Sequence, residues 1–375
     1  MSNLESRLDA VIDEAINDDR IVGTVVMVMK GGGIAYQRAA GFADREAGRR
    51  MTADTIFRLA SVTKPLVAAT ALAMIERGIL GLDRNITEWL PGFEPRLLDG
   101  YTPEITIRHL LTHTAGFGYP TPEPDDPYVE EGIPAGLEDL GMSMEENIKR
   151  IETVPLFFAP GTGWRYGVSL DILGEIVGRA HGATLGEAVA HYVTGPLDMT
   201  DTAFSVTDPS RLAAAYADGK TGPVLMNDLH TVEAGPGKGM MFSPSRIFRP
   251  DSFQSGGAGM AGTASDFMRF LEAIRTGGGA ILEAETVDAA LSNQVGEMRE
   301  DDEPGAGFGY LSAIVTHPER TGIPYSAGTA RWGGVYGHNW FMDRAAGISA
   351  FDFTNTAVEG CMGEFPKDIT RAVYG

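Results

Sequence analysis

The chain has 375 residues, 43% hydrophobic and 22% charged, enough for a sizeable core and about two structural units, and too apolar for a disordered chain. Its formal net charge is −21, and so acidic a molecule repels nucleic acid and anionic lipid, which excludes both as expected partners. The one cysteine, Cys361, allows no intrachain disulfide and stands in no metal or redox motif, so it reads as an ordinary small side chain near the C-terminus.

The first segment places Leu4, Leu8, Val11, Ile12 and Ala15 on one side of an amphipathic helix. It lacks the basic start and apolar centre of a signal peptide, and the longest apolar stretch, Leu66 to Ile75, is too short to cross a bilayer. A cytoplasmic protein is therefore expected. Two β-rich runs flank Gly31-Gly32-Gly33, a hairpin signal. An apolar helix follows from Val62 to Arg77, with Gly78 as its stop.

From Asp83 to Ser255 the chain is rich in proline and glycine, and its regular stretches have helical spacing: ITIRHLLTH, SLDILGEIVGRAHG and LGEAVAHYV. Within it, the acidic, proline-containing residues 122–147 are expected to form a long surface loop. Thr263 to Asp266 resembles a capping box that opens a helix through Ile274. The last third turns to strands, GFGYLSAIV, GVYGHNWFM and AGISAFDF, with a hairpin turn at Asp343 to Ala346 and a short helix from Pro366 to Val373. Strands at both ends and helices between them predict an α/β (α+β) arrangement. One antiparallel sheet is built from residues 1–82 and 256–375, and residues 83–255 are inserted as an all-helical domain.

Three places could carry chemistry. The first is Ser61-Val62-Thr63-Lys64. Of six lysines only Lys64 has a serine three positions earlier, and the pair stands where TIFRLA runs into the apolar helix. Unpaired N–H groups at a helix start favour developing negative charge, one turn brings Lys64 beside Ser61, and burial near that positive end lowers a lysine pKa. The second is Tyr166, in the glycine-rich run before SLDILG, where a phenol can meet a serine hydroxyl and a lysine amine. Ser169 beside it is expected to be an N-cap. The third is Trp332-Gly333-Gly334-Val335, whose glycines permit close approach of a ligand and whose edge can supply an oxyanion-binding N–H. Each has an ordinary alternative when taken alone: a capping serine with a solvated lysine, a half-buried tyrosine, a glycine-rich hairpin stiffened by aromatics. His113 is expected to be structural. No G-x-S-x-G, H-E-x-x-H or P-loop pattern occurs, which argues against an α/β-hydrolase elbow, a zinc hydrolase and a nucleotide-binding loop.

By order and spacing the three signals become one. The chain resembles the serine β-lactamase and penicillin-binding protein superfamily, and is most similar to the class C β-lactamase-like family VIII carboxylesterases. The resemblance runs through TIFRLASVTKP around Ser61, TIRHLLTHTAGFGY from Thr106 to Tyr119, PGTGWRYGVSLDILG around Tyr166, SGGAGMAGTASDFMRF from Ser255, and RWGGVYGHNWFMD from Arg331. It implies a β-lactamase/transpeptidase-like fold with the site in the cleft between sheet and helical domains. It implies Ser61 as acylated nucleophile, Lys64 as base, Tyr166 in the proton network, and the N–H groups of Ser61 and Val335 as oxyanion hole. Trp332, Gly333 and Gly334 would bind substrate. No metal or cofactor is implied.

Two departures from class C β-lactamases bear on substrate. Val168 stands where a Tyr-x-Asn element has its asparagine, and Trp332-Gly333-Gly334 stands where a Lys-Thr-Gly box has its lysine. Removing that cation disfavours anionic lactams and peptides, and an indole favours neutral, apolar groups. Hydrolysis of a small short-chain ester is therefore expected, with weak cephalosporin cleavage as a side activity. The alternatives on the same scaffold are a β-lactamase, a D-amino-acid peptidase, an acyltransferase and a non-catalytic binding module. The loops at 118–147 and 220–255, with Phe117, Tyr119, Phe242 and Phe253, are candidates for the pocket mouth, and a monomer or a homodimer fits equally.

Overall fold

The computed structural model describes residues 4–121, 125–233, 239–299 and 303–375. An eight-stranded sheet runs through it, with strands in the order Ala306–Phe308, Ala313–Val315, Ala330–Gly334, His338–Asp343, Ile348–Thr354, Gly23–Lys30, Gly33–Asp44 and Arg49–Arg50. Neighbouring strands pair antiparallel throughout. The N-terminal hairpin turns at Gly31 and Gly32, at φ 60° and 84°, where an L side chain would be strained. Gly23–Lys30 lies at the join of the two chain ends, because its other neighbour is Ile348–Thr354.

Both faces of the sheet are covered, so Gly23–Lys30 is buried from Gly23 to Val28 instead of alternating. Val26 and Val28 face a core shared with the amphipathic helices Leu4–Asn17 and Phe365–Tyr374. Val25 and Met27 face the larger core, which holds the helices Thr63–Glu76, Ser169–His181 and Ala264–Arg275. Thr63–Glu76 is buried continuously from Thr63 to Met74, as expected of a helix apolar all round. Among the described residues no helix is long and apolar enough to cross a membrane.

Several expectations need correction. GFGYLSAIV is not one strand but a hairpin, Ala306–Phe308 and Ala313–Val315, closed by Gly309 N–H donating to Ser312 O at 2.8 Å. Its break has a steric cause: a Cβ at Gly309 would lie 2.2 Å from Ala290 O, so the chain bends where it meets a neighbouring segment. GVYGHNWFM likewise divides. Gly334 ends one strand, His338 begins the next, and Gly337, at φ 117°, donates to Gly334 O across the turn. The segment 83–255 is not all-helical: its helices are separated by long irregular stretches. It holds the ribbon His230–Glu233 with Gly239–Phe242, and the pair Tyr216–Ala217 with Val224–Leu225, which joins Thr356–Ala357. Residues 125–147 are not a surface loop either: they include the short helix Pro127–Glu130 and bury Tyr128, Ile133 and Glu138, while 122–124 lie outside the described residues.

Candidate active site

Ser61 sits on a turn between the short strand Ile56–Arg58 and the buried helix Thr63–Glu76. The turn is tight: Ala60 is held at φ 45°, unusual for a residue with a side chain, and Val62 N–H donates to Leu59 O at 3.0 Å. Its flanks are fixed from outside. Leu59 N–H donates to Met260 O at 2.8 Å, and His338 Nε2 lies 2.7 Å from Arg58 O. Burial lowers the His338 pKa to about 4, so at neutral pH the ring is uncharged and this nitrogen donates to the carbonyl.

Three expected residues meet at one point. Lys64 Nζ lies 3.1 Å from Ser61 Oγ, and Tyr166 Oη donates to the same oxygen at 2.8 Å. Lys64 also donates to Gly257 O at 2.8 Å, and Nζ stands 4.6 Å from the centre of the Tyr166 ring and 5.4 Å from that of Tyr119. Only 4% of Lys64 is exposed, and burial brings its pKa down to about 7 against an opposing pull from Asp171. Burial pushes the Tyr166 phenol far above its ordinary value, so it remains a proton donor at neutral pH.

The glycine pair after Trp332 has a different reason from the expected one. A Cβ at Gly333 would meet His338 O at 2.6 Å and Cys361 Sγ at 3.0 Å. One at Gly334 would meet Leu59 O at 2.4 Å and Val62 Cγ2 at 3.1 Å. Protein atoms, not an approaching ligand, fill the space of both missing side chains. The consequence is that the end of Ala330–Gly334 lies against the Leu59–Val62 turn, and Val335 joins the apolar cluster that contains Ala60. That proximity is what a shared oxyanion site between Ser61 and Val335 requires.

An aromatic wall stands beside this point. The Trp332 ring lies 5.1 Å from Tyr166 and 5.3 Å from Phe308, Trp164 stacks on Tyr166 at 6.5 Å, and Tyr119 meets Tyr166 edge-on at 5.3 Å. Behind the wall the buried Arg299 guanidinium lies 4.8 Å from the Trp164 ring centre and 5.6 Å from that of Trp332. Glu303 pairs with both Arg299 and Arg331, which anchors the strand carrying Trp332.

Other residues fall elsewhere. His113 is buried against Tyr166 at 4.8 Å, both its nitrogens lack a hydrogen-bond partner, and burial holds its pKa well below 6.5: it is an uncharged packing residue. Ser169 is not an N-cap. Val168 takes that position, at φ −70° and ψ 8°, with no side-chain cap, and the Ser169 hydroxyl is buried without a partner. Phe117 and Phe242 are core, Phe253 packs on Arg246, and only Tyr119 of the four aromatics lies by Lys64. Burial raises the Cys361 pKa to about 12, so the thiol stays protonated at neutral pH. Sequence reasoning passed over Asp171, Ser255 and Gly257, which support Lys64 from below. The Ser-Gly-Gly run was visible, but nothing local pointed to its partner on another element.

Comparison with known proteins identifies the family and the fold. The family model described as Beta-lactamase matches residues 8–365. The chain is 49% identical over 376 aligned residues to Esterase EstB from Burkholderia gladioli, covering 100% of this chain and 96% of that one. A solved structure described as EstCE1, a hydrolase with promiscuous acyltransferase activity, is 40% identical with a TM-score of 0.96, covering 100% and 99% of the two chains. Unliganded selenomethionyl Simvastatin Synthase (LovD) from Aspergillus terreus, at 23% identity and a TM-score of 0.77 over 100% and 98%, shares the fold.

Proposed function

The chain belongs to the beta-lactamase family, and from that membership and the geometry around Ser61 we propose a carboxylesterase that works through a serine acyl-enzyme. The observation that carries the reading is the meeting of a buried lysine amine and a tyrosine hydroxyl on one serine oxygen. With a pKa of about 7, a good fraction of Lys64 is neutral at physiological pH and can accept the Ser61 proton as Oγ attacks the ester carbonyl. The carbonyl oxygen then carries the charge, toward the N–H groups of Ser61 and Val335. Collapse breaks the bond to the alcohol oxygen, which takes a proton through Tyr166 and departs. Water adds to the acyl-enzyme by the reverse proton path, releasing the acid and restoring Ser61–OH. The cleft lies where residues 83–255, which supply Tyr166, meet residues 1–82 and 256–375, which supply the rest.

The substrate is read as a small neutral ester. Trp332 offers an apolar face where a lysine would offer a charge, and loss of a charge-assisted hydrogen bond is worth ~1.5–3 kcal/mol against an anionic lactam. Val168 is fully buried and lends the cleft no polar group. The close relative's name, Esterase EstB, supports ester over lactam. The name of the EstCE1 structure favours a second outcome at the same acyl-enzyme, attack by an alcohol in place of water. The test is turnover of p-nitrophenyl butyrate and nitrocefin by the wild type and Ser61→Ala. Strong ester turnover, weak nitrocefin cleavage and loss of both in the variant are expected. Wild-type ester turnover by Ser61→Ala would overturn the reading, and added alcohol separates transfer from hydrolysis by the ester it yields.

A further inference from the structure

Beneath Lys64 lies a buried carboxylate that the proton path above does not use. Asp171 stands in the first turn of Ser169–His181 and is 2% exposed. Its Oδ1 accepts hydrogen bonds from Ser255 Oγ and, at 3.3 Å, from Gly257 N–H; its Oδ2 has no hydrogen-bond partner. The turn Ser255-Gly256-Gly257 is pressed onto this helix. A Cβ at Gly256 would lie 2.1 Å from Leu170 O, and one at Gly257 would lie 2.6 Å from Asp171 Oδ2 and 3.0 Å from Tyr119 Oη. Only glycines can lie this close, and the turn so seated aims Gly257 O at Lys64 Nζ, 2.8 Å away.

We propose that Asp171 is the positioning residue for Lys64: it seats the Ser255–Gly257 turn whose carbonyl holds the amine against Ser61, and it supplies the buried negative charge opposite the ammonium that forms when Ser61 loses its proton. This rests on Lys64 acting as the base. Two features of the site require such a partner. A lysine that gains a proton in a dry cleft becomes an isolated cation, which is costly unless it is hydrogen-bonded and paired. The other ionisable groups around it do not fill that role: Tyr166 and Tyr119 are held protonated by burial, and His113 is held neutral. Burial raises the Asp171 pKa above the ordinary carboxylate value, and the hydrogen bond from Ser255, the charge of Lys64, the Gly257 N–H and Arg246 behind it all pull toward the charged form. Glu138 lies farther back and acts on Tyr119 and Arg246.

Asp171→Asn separates the two contributions, because an amide oxygen can still accept from Ser255 and Gly257 while the charge is gone. The negative charge favours protonated Lys64, so its removal lowers the Lys64 pKa, and the acidic limb of kcat/KM moves to lower pH. We expect a shift of at least about half a pH unit, with kcat reduced about tenfold or more and KM changed little. Ser61→Ala in parallel shows whether turnover depends on the serine at all, so failure of the esterase reading is seen separately. Ser61-dependent turnover in Asp171→Asn with wild-type kcat and an unmoved acidic limb would overturn the proposal. Should that variant not fold by circular dichroism, Gly257→Ala disturbs the same contact from the other side. A loss of kcat with a downward-shifted limb supports the proposal, and a wild-type profile overturns it.

Discussion

A lysine in water is almost wholly protonated at neutral pH and is useless as a base. Lys64 escapes this through burial alone, since Asp171, the one charge drawing on it, works in the opposite direction. The rate must therefore rise with pH as Lys64 loses its proton, through an acidic limb near pH 7, and reach a plateau above it. Because the Tyr166 pKa is pushed far above its ordinary value, no alkaline fall from that residue belongs below pH 10. A pH profile of kcat/KM on a neutral ester checks this, and a plateau already established at pH 5 would contradict it. Tyr166→Phe keeps the ring against Trp164 and Trp332 and removes only the hydroxyl that donates to Ser61, so a loss of about 10²–10⁴ in kcat is expected. These residues differ in how readable they were. Ser61 and Lys64 are one helical turn apart, so their meeting is local. Tyr166 lies 105 positions from Ser61; its loop marked it as a candidate, but only the resemblance paired it with that serine. Asp171 and Gly257 are 86 apart, and no periodicity links a helix to a turn on another element.

Elements with their own period were legible, and those shaped by a neighbour were not. The helix Thr63–Glu76, the glycine turn at Gly31 and the Thr263 cap, which accepts from Asp266 N–H at 3.2 Å, follow from local chemistry. The two misread strands break at Gly309 and Gly337, where the cause is a carbonyl or a threonine on another segment. The same reasoning yields a test of the strand edge beside Ser61. In Gly334→Ala the new Cβ would lie 2.4 Å from Leu59 O, a main-chain atom that cannot swing aside, so the strand end must retreat from the nucleophile turn. Val335 N–H moves with it. Loss of one oxyanion donor typically costs about 10²–10³ in kcat, and that is the expected effect, with KM little altered. Labelling by a fluorescent phosphonate should slow in proportion, since it needs the same oxyanion site. A variant with wild-type labelling and turnover would show that Val335 is not the second donor.

At the scale of the whole molecule, one side chain ties the C-terminal strands to the start of the nucleophile turn. His338 begins a strand of the C-terminal half, and its Nε2 meets the carbonyl of Arg58, 280 positions earlier, just before the nucleophile turn. It packs on Phe57 and Phe353 and is 1% exposed, so protonating it inside the fold is unfavourable. Its folded pKa of about 4 lies below the ordinary 6.5, so between those values the unfolded chain binds the extra proton and stability falls as pH falls. At pH 5 this amounts to about 2 kcal/mol relative to pH 7.5. His113 adds to the same trend, since burial depresses its pKa too, while Asp352, whose pKa burial raises well above the ordinary value, opposes it. The net slope of the wild type therefore does not isolate His338, but a difference does. His338→Gln keeps a donor for Arg58 O and cannot titrate. By urea unfolding the variant should be the less stable protein at pH 7.5, through lost ring packing, and the gap should close by about 2 kcal/mol at pH 5. A gap that stays constant between the two pH values would mean that the imidazole is protonated in the folded state, and the link from His338 to Arg58 would then be a charge-assisted one.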